Sequence, residues 1–235
     1  PIDLHLDAMR KFGAEVLEEH GKIVCECPNG LKGTQITLSF PSVGATENIL
    51  LAACRAEGTT TLFNAAREPE ISDLADFLNA AGARIQGAGS GEIIIEGVKR
   101  LTGCVHTVIP DRIVAAGYLA AAAMTEGKVR LSHIIPAHIG PVLPILRDSG
   151  CEVEVRGHTV TLRAPNRLKA VKSIRTMPYP GFPTDMQAPI MAMMTVAEGT
   201  TVIVETIFES RYKHVGELGR MGANIRVEGR TAVVQ

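Results

Sequence analysis

Apolar residues along this chain recur in three blocks built on one plan. Each block opens with small and aliphatic residues ending in Glu-Gly (Glu57-Gly58, Glu126-Gly127, Glu198-Gly199). A β-branched run follows, then an amphipathic stretch that stops at a glycine (Gly82, Gly150, Gly222). From the first glycine of a block to the second, the spacing is 24, 23 and 23 residues, a regularity that marks an internal repeat. The opening Met9-Arg-Lys-Phe-Gly13-Ala-Glu-Val is a partial fourth copy, and the steps from Gly13 to Gly82, Gly150 and Gly222 are 69, 68 and 72 residues.

The pattern within a block predicts its elements. Asp111–Met124 has high helix propensity and is apolar nearly all round, which predicts a helix buried on every side and too short to span a membrane. The runs Thr59–Phe63 and Thr200–Val204 predict strands. From Ser72 to Ala81, apolar Leu74, Phe77, Leu78 and Ala81 fall at i, i+3, i+4 and i+7, predicting a half-exposed helix that Gly82 ends. Short alternating strands come next, Ala83–Gln86 and Glu92–Glu96 in one copy, Cys151–Val155 and Thr159–Arg163 in the next. The unit is therefore expected to be βαβαββ. An apolar helix in every copy packs most economically inside, wrapped by sheets and amphipathic helices, which is an inverse, inside-out α/β fold. The Pro-rich stretch Met177–Pro183 leads into the third buried helix, and the larger boundary is expected near Val108-Ile-Pro110, dividing the chain into 1–109 and 110–235.

A chain of 235 residues accommodates one large domain or two modest ones. Lys and Arg number 24 against 25 for Asp and Glu, a net charge of -1, which argues against a nucleic-acid or membrane partner, so a bound anion must be held locally. Five dispersed cysteines show no zinc-ligand spacing and are expected to be reduced thiols in a cytosol, with Cys25 and Cys27 packing on one face of a strand. The histidines, His133 and His138 included, form no metal motif, and neither a metal nor a cofactor is expected. The opening Pro-Ile-Asp-Leu-His-Leu has no basic-then-apolar leader and no initiator Met, and both ends read as cuts in a longer chain.

Six strings then carry a resemblance: Pro1-Ile-Asp-Leu-His5, Ser42-Val-Gly-Ala-Thr46, Ala66-Arg-Glu-Pro-Glu-Ile71, Pro110-Asp-Arg-Ile113, Phe182-Pro-Thr-Asp-Met-Gln187 and Phe208-Glu-Ser-Arg211. In content and order they resemble the enolpyruvyl transferases, specifically the branch acting on UDP-N-acetylglucosamine, from the first residue to the last. The resemblance implies a fold of six βαβαββ units in two three-repeat domains. Residues 1–109 would belong to one and 110–235 to the other. It also implies transfer of the enolpyruvyl group of phosphoenolpyruvate to the 3-hydroxyl of UDP-N-acetylglucosamine, with release of phosphate, in cytoplasmic cell-wall synthesis. Addition followed by elimination needs a base for the sugar hydroxyl, an acid for the enol carbon and cations near the phosphates.

Residue by residue, the resemblance implies that Pro1, Ile2, Asp3 and Leu4 close around the nucleotide, with Asp3 facing the uracil. By chemistry alone Asp3 is a carboxylate at a helix N-terminus. Ser42, Val43 and Gly44 are implied as the diphosphate site at the start of the first buried helix, where Ser42 can also act as a cap. The family position two before Ser42 can be Lys but is Phe40 here, so no charge contact is assigned to it. Asp185 is implied as the residue that takes or fixes the sugar hydroxyl proton. Ile207 would pack beside the sugar and Arg211 stand near the reacting groups. Glu68, Glu70, Arg112 and Thr184 are implied as cleft or hinge residues, for which a plain ion-pair network is the simpler reading. The family's catalytic cysteine loop, together with the Arg before the Pro1 string, an early Lys-Asn pair and late Asp and Arg residues, falls outside 1–235, so this stretch alone is expected to be inactive. The sister transferase acting on shikimate 3-phosphate and a non-catalytic scaffold remain as alternatives.

Overall fold

Helices begin where the sequence supplies an acceptor for their first free amides, and the repeated blocks obey that rule only in part. The computed structural model describes residues 2–235, so the expectation for Pro1 lies outside the described residues. Helix α1 (Asp3–Lys11) has Asp3 in its first turn and Arg10 and Lys11 in its last, an order that suits the helix dipole. An antiparallel hairpin of β1 (Glu15–Glu19) and β2 (Lys22–Glu26) follows. The first complete copy runs β3 (Gln35–Thr37), α2 (Val43–Ala53), β4 (Thr59–Phe63), α3 (Pro69–Ala80), β5 (Arg84–Gln86) and β6 (Glu92–Glu96). Its sheet is ordered β3-β4-β6-β5, with β3 parallel to β4 and the remaining pairs antiparallel.

The next copy consists of α4 (Arg112–Met124), β7 (Lys128–Leu131), α5 (Val142–Asp148), β8 (Glu152–Arg156) and β9 (Thr159–Arg163), in a sheet ordered β7-β9-β8. The last runs β10 (Ser173–Arg175), α6 (Gln187–Met194), β11 (Thr201–Val204), α7 (Val215–Arg220), β12 (Ile225–Glu228) and β13 (Thr231–Val234). Its order β10-β11-β13-β12, with a parallel first pair, repeats the first copy strand for strand.

The βαβαββ expectation therefore holds for the first and last copies, while the middle one lacks its opening strand among the described residues. The reason lies in residues 102–106, which are committed elsewhere. Thr102 donates twice to Ala81 O, Cys104 Sγ contacts Phe77 O at 3.7 Å, and His106 Nε2 lies 2.9 Å from Asp73 Oδ1. Steps of two along the extended segment match steps of four along α3, so this segment straps the helix instead of joining a sheet.

The chain divides into two compact units, Pro1–Ile109 and Pro110–Gln235, each with its own apolar core. In the first, Ala45, Ile49, Leu50 and Ala53 of α2 are buried against α1, α3 and the sheet; in the second, Ala115, Ala116, Leu119 and Ala123 of α4 pack toward α6. Burial on every side is not realised. Leu51 is 49% exposed on α2, and Val114 and Tyr118 are 53% and 61% exposed on α4, because the neighbours within one unit cover only part of each helix. On α3 the inward row is Ile71, Ala75 and Leu78, while Phe77 is 40% exposed and meets the edge of the His106 ring. Cys25 is exposed on the hairpin rather than packed, since one two-stranded ribbon buries neither face. Gly82, Gly150 and Gly222 take φ of +101°, +93° and +97°, the left-handed region that glycine enters at least cost, which explains the recurrent stop.

Candidate active site

In the first unit, Ser42, Val43 and Gly44 form the start of α2, which lies against α1. Ser42, in extended conformation, accepts from Ala45 N at 3.3 Å and caps the helix, so Val43 and Gly44 present the first turn's free amides. Gly44 faces α1: a Cβ there would lie 3.3 Å from His5 Cε1, and this lets the two helices approach closely. Asn48 Nδ2 lies 2.6 Å from His5 Nδ1. Ile2 and Asp3 are exposed at the start of α1, and Leu4 is half-buried against the core. Buried Thr46 accepts from Ala66 N at 3.1 Å and fixes the string that carries Glu68, the buried residue before α3, and Glu70 in the first turn of α3. The carboxyl of Glu47 is pushed above its ordinary value, chiefly by burial and further by the charge of Glu70, with His5 opposing.

In the second unit, Thr184–Met186 form a 3₁₀ turn that runs directly into α6, and Asp185 stands exposed on it. Arg211 joins the turn with two nitrogens: Nη2 lies 2.5 Å from Asp185 Oδ1, and Nη1 donates to Thr184 Oγ1 at 3.1 Å. Its guanidinium carbon also sits 5.0 Å from the centre of the Phe208 ring. Beneath this surface lies Glu205, 1% exposed at the end of β11. Its carboxylate accepts from the hydroxyls of Thr176 and Thr184 and from the amides of Ile207 and Phe208. Thr176 Oγ1 in turn accepts from Thr206 N at 2.8 Å. Arg112, at the first position of α4 behind the Asp111 cap, lies 5.7 Å from the ring centre of Tyr179.

Asp185, Thr184, Ile207 and Arg211 are thus brought together, as are Ser42, Val43 and Gly44 beside α1. Arg112 lies over the Tyr179 ring. Sequence reasoning missed Glu205, Thr176, His5, Asn48 and Glu47. Glu205 had one local signal, a carboxylate directly after the apolar run Val202–Val204. Among the described residues, no group of three or more His, Cys, Asp or Glu could hold a metal ion, and no helix is long and apolar enough to cross a membrane. Burial raises the Cys54 thiol and pushes that of Cys151 up to about 11, so neither presents a thiolate at neutral pH.

The sequence profile described as EPSP synthase (3-phosphoshikimate 1-carboxyvinyltransferase) matches residues 1–235. The chain belongs to this enolpyruvyl transferase family. Curated relatives within the family are named UDP-N-acetylglucosamine 1-carboxyvinyltransferase. That of Symbiobacterium thermophilum is 55% identical over 235 residues and that of Prochlorococcus marinus 53% over 238, each covering all of this chain. The chain spans about half the length of these relatives, 53% and 54% respectively. Among solved structures, the enolpyruvyl transferase NikO from Streptomyces tendae matches all of this chain and 58% of its own, with a TM-score of 0.85 at 25% identity. EPSP synthase from Acinetobacter baumannii matches all of this chain and 56% of its own, with a TM-score of 0.68 at 24% identity, a likeness of fold. The fold is the inverse α/β fold of the enolpyruvyl transferases.

Proposed function

We propose that the whole protein carrying this chain transfers the enolpyruvyl group of phosphoenolpyruvate to the 3-hydroxyl of UDP-N-acetylglucosamine and releases phosphate. The supporting observation is the Asp185–Arg211 pair, which places a carboxylate and a guanidinium side by side on the exposed end of a helical turn. The names of relatives at 53–55% identity favour the nucleotide-sugar acceptor over shikimate 3-phosphate.

In this reading, Asp185 fixes the sugar's 3-hydroxyl and takes its proton as the oxygen adds to C2 of the enolpyruvyl group. The enol carbon gains a proton in that addition. It loses one again as the C–O bond to phosphate breaks and the double bond re-forms. Arg211 supplies positive charge where the departing phosphate accumulates negative charge. Ile207 lies against the sugar. In the first unit, the amides behind Ser42, Val43 and Gly44 receive the diphosphate, aided by the positive end of α2. Pro1, Ile2, Asp3 and Leu4 hold the nucleotide, with Asp3 toward the uracil. Glu68, Glu70, Arg112 and Thr184 support these groups as cleft or hinge residues. The two three-repeat domains each draw one of the compact units from this chain. We assign the reaction to the first committed step of peptidoglycan synthesis in the cytoplasm, and through it to cell shape and division.

The test is phosphate release by the whole protein with phosphoenolpyruvate and either acceptor, compared with Asp185→Asn. Activity with UDP-N-acetylglucosamine that falls by at least about a hundredfold in the variant is expected for a lost proton acceptor. Turnover of shikimate 3-phosphate instead would select the sister reaction, and release with neither acceptor would leave a non-catalytic scaffold.

A further inference from the structure

Next to the turn that carries Asp185, four hydrogen bonds converge on a buried carboxylate that the proposed reaction does not use. Glu205 Oε1 accepts from Thr176 Oγ1 at 2.9 Å, Ile207 N at 2.8 Å and Phe208 N at 3.1 Å, while Oε2 accepts from Thr184 Oγ1 at 2.8 Å. These donors come from three separate segments: the end of β10, the turn before α6, and the loop after β11. The Thr184 hydroxyl gives its proton to Glu205 and has its lone pairs free for Arg211 Nη1, and the other arm of that guanidinium holds Asp185. The result is a connected path of hydrogen bonds through Asp185, Arg211, Thr184 and Glu205, in which Arg211 donates to both Asp185 and Thr184 and Thr184 donates to Glu205.

We propose that Glu205 is the positioning residue of this site, fixing the Asp185 carboxylate through Thr184 and Arg211, and fixing Ile207 through its backbone amide. The role rests on the reaction reading given above. A side chain needed only to brace a loop has no reason to be charged, because burying a carboxylate is costly unless hydrogen-bond donors meet it. What this position requires is a group that accepts on both oxygens at once, and only an ionised carboxylate does so. Glutamine has the same shape but would accept at one end and donate at the other. It would push a proton toward Thr184 Oγ1 and leave the threonine hydroxyl without its acceptor. The path would be broken at Thr184, and Arg211 would lose the contact that sets its second nitrogen against Asp185.

The experiment is steady-state phosphate release by the whole protein with Thr184→Val, Thr184→Ser, Glu205→Gln and the Glu205→Gln/Thr184→Val double variant. Removing the Thr184 hydroxyl is expected to lower kcat at least about tenfold while KM for either substrate moves by less than about threefold, since geometry at the reacting oxygen is lost and binding is kept. Thr184→Ser restores the hydroxyl and recovers most of that loss. Glu205→Gln behaves as Thr184→Val does, and the double variant is no worse than the poorer single one, because both interrupt the same path. Thr184 is half-buried and its replacement leaves the core intact, so it carries the test even if Glu205→Gln melts below the assay temperature. A Thr184→Val enzyme with wild-type kcat, or a double variant whose losses multiply, overturns the role. A wild-type protein that releases no phosphate overturns the reaction reading and the role with it, whereas an active wild type beside an active Thr184→Val overturns the role alone.

Discussion

The guanidinium of Arg211 reaches Asp185 across 26 positions of sequence, with 2.5 Å between Nη2 and Oδ1, and a second nitrogen spans to Thr184. Both contacts require a planar fork. Arg211→Lys keeps the charge but offers a single point donor, so it satisfies one partner and abandons the other. The expected outcome is a loss in kcat/KM of about tenfold to a hundredfold. Because the pair is partly exposed, stability should change by no more than about 1 kcal/mol. Kinetics and thermal melting of the same preparation separate the two, and a stable lysine variant with full activity would remove Arg211 from the reaction.

Glu47 gives a pH dependence of definite sign. Its folded carboxyl titrates above the ordinary value because of burial, then Glu70, with His5 opposing. The folded state therefore binds the proton more tightly than the unfolded chain does. The resulting penalty is absent below the unfolded pKa and grows as pH rises through the folded one. Glu47→Gln removes it. Its melting temperature should exceed that of the wild type at pH 7, by the equivalent of about 0.5 kcal/mol or less at a partly exposed site, and the difference should vanish near pH 4. A gain that persists unchanged at low pH would point to packing instead.

The cysteines should separate by exposure. Cys25 lies exposed on the hairpin, while Cys54 and Cys151 are buried with thiols held protonated. Alkylation with iodoacetamide at pH 8, followed by peptide mass spectrometry, is expected to modify Cys25 first and to leave Cys54 and Cys151 unmodified until denaturant is added. Early labelling of Cys151 would mean that the core of the second unit opens readily.

Adjacent residues of α4 should differ sharply in cost. Leu119 is fully buried and Tyr118 is 61% exposed. Leu119→Ala should destabilise this chain by about 2–5 kcal/mol, the usual range for a cavity in a packed core. Tyr118→Ala should cost about 0.5 kcal/mol or less, as an exposed substitution does. Equal costs in urea denaturation would mean that the helix is enclosed on both faces.

Local pattern was enough to find most elements, and particular residues show where it stopped being enough. The strand Thr59–Phe63 came from its β-branched run, and Glu92–Glu96 and Thr159–Arg163 came from alternation, since neighbouring side chains on a strand point to opposite faces. On α3, periodicity placed Leu74, Phe77, Leu78 and Ala81 on the apolar face, whereas the structure buries Ile71, Ala75 and Leu78 and leaves Phe77 partly exposed. The strap from Thr102 to His106 made the difference by occupying the side that bears Phe77. The same strap explains why the middle copy departs from the repeat: an extended stretch can bond to a sheet edge or to a helix, and its own pattern does not distinguish them.

By itself, the sequence determined the seventy-residue repeat and the near-neutral charge, which are read by comparing and counting along the chain, and the glycine stops and apolar helices, which depend on residues within a few positions of one another. Asp185, Thr184 and Arg211 could be named as candidates from strings alone. Only the tertiary structure decided what holds them. Glu205 meets Thr184 and Thr176 across 21 and 29 positions, and those partners are chosen when the strands and turns of the second unit pack together. A buried carboxylate must find donors wherever the fold brings them, and no local pattern in the sequence encodes that distance.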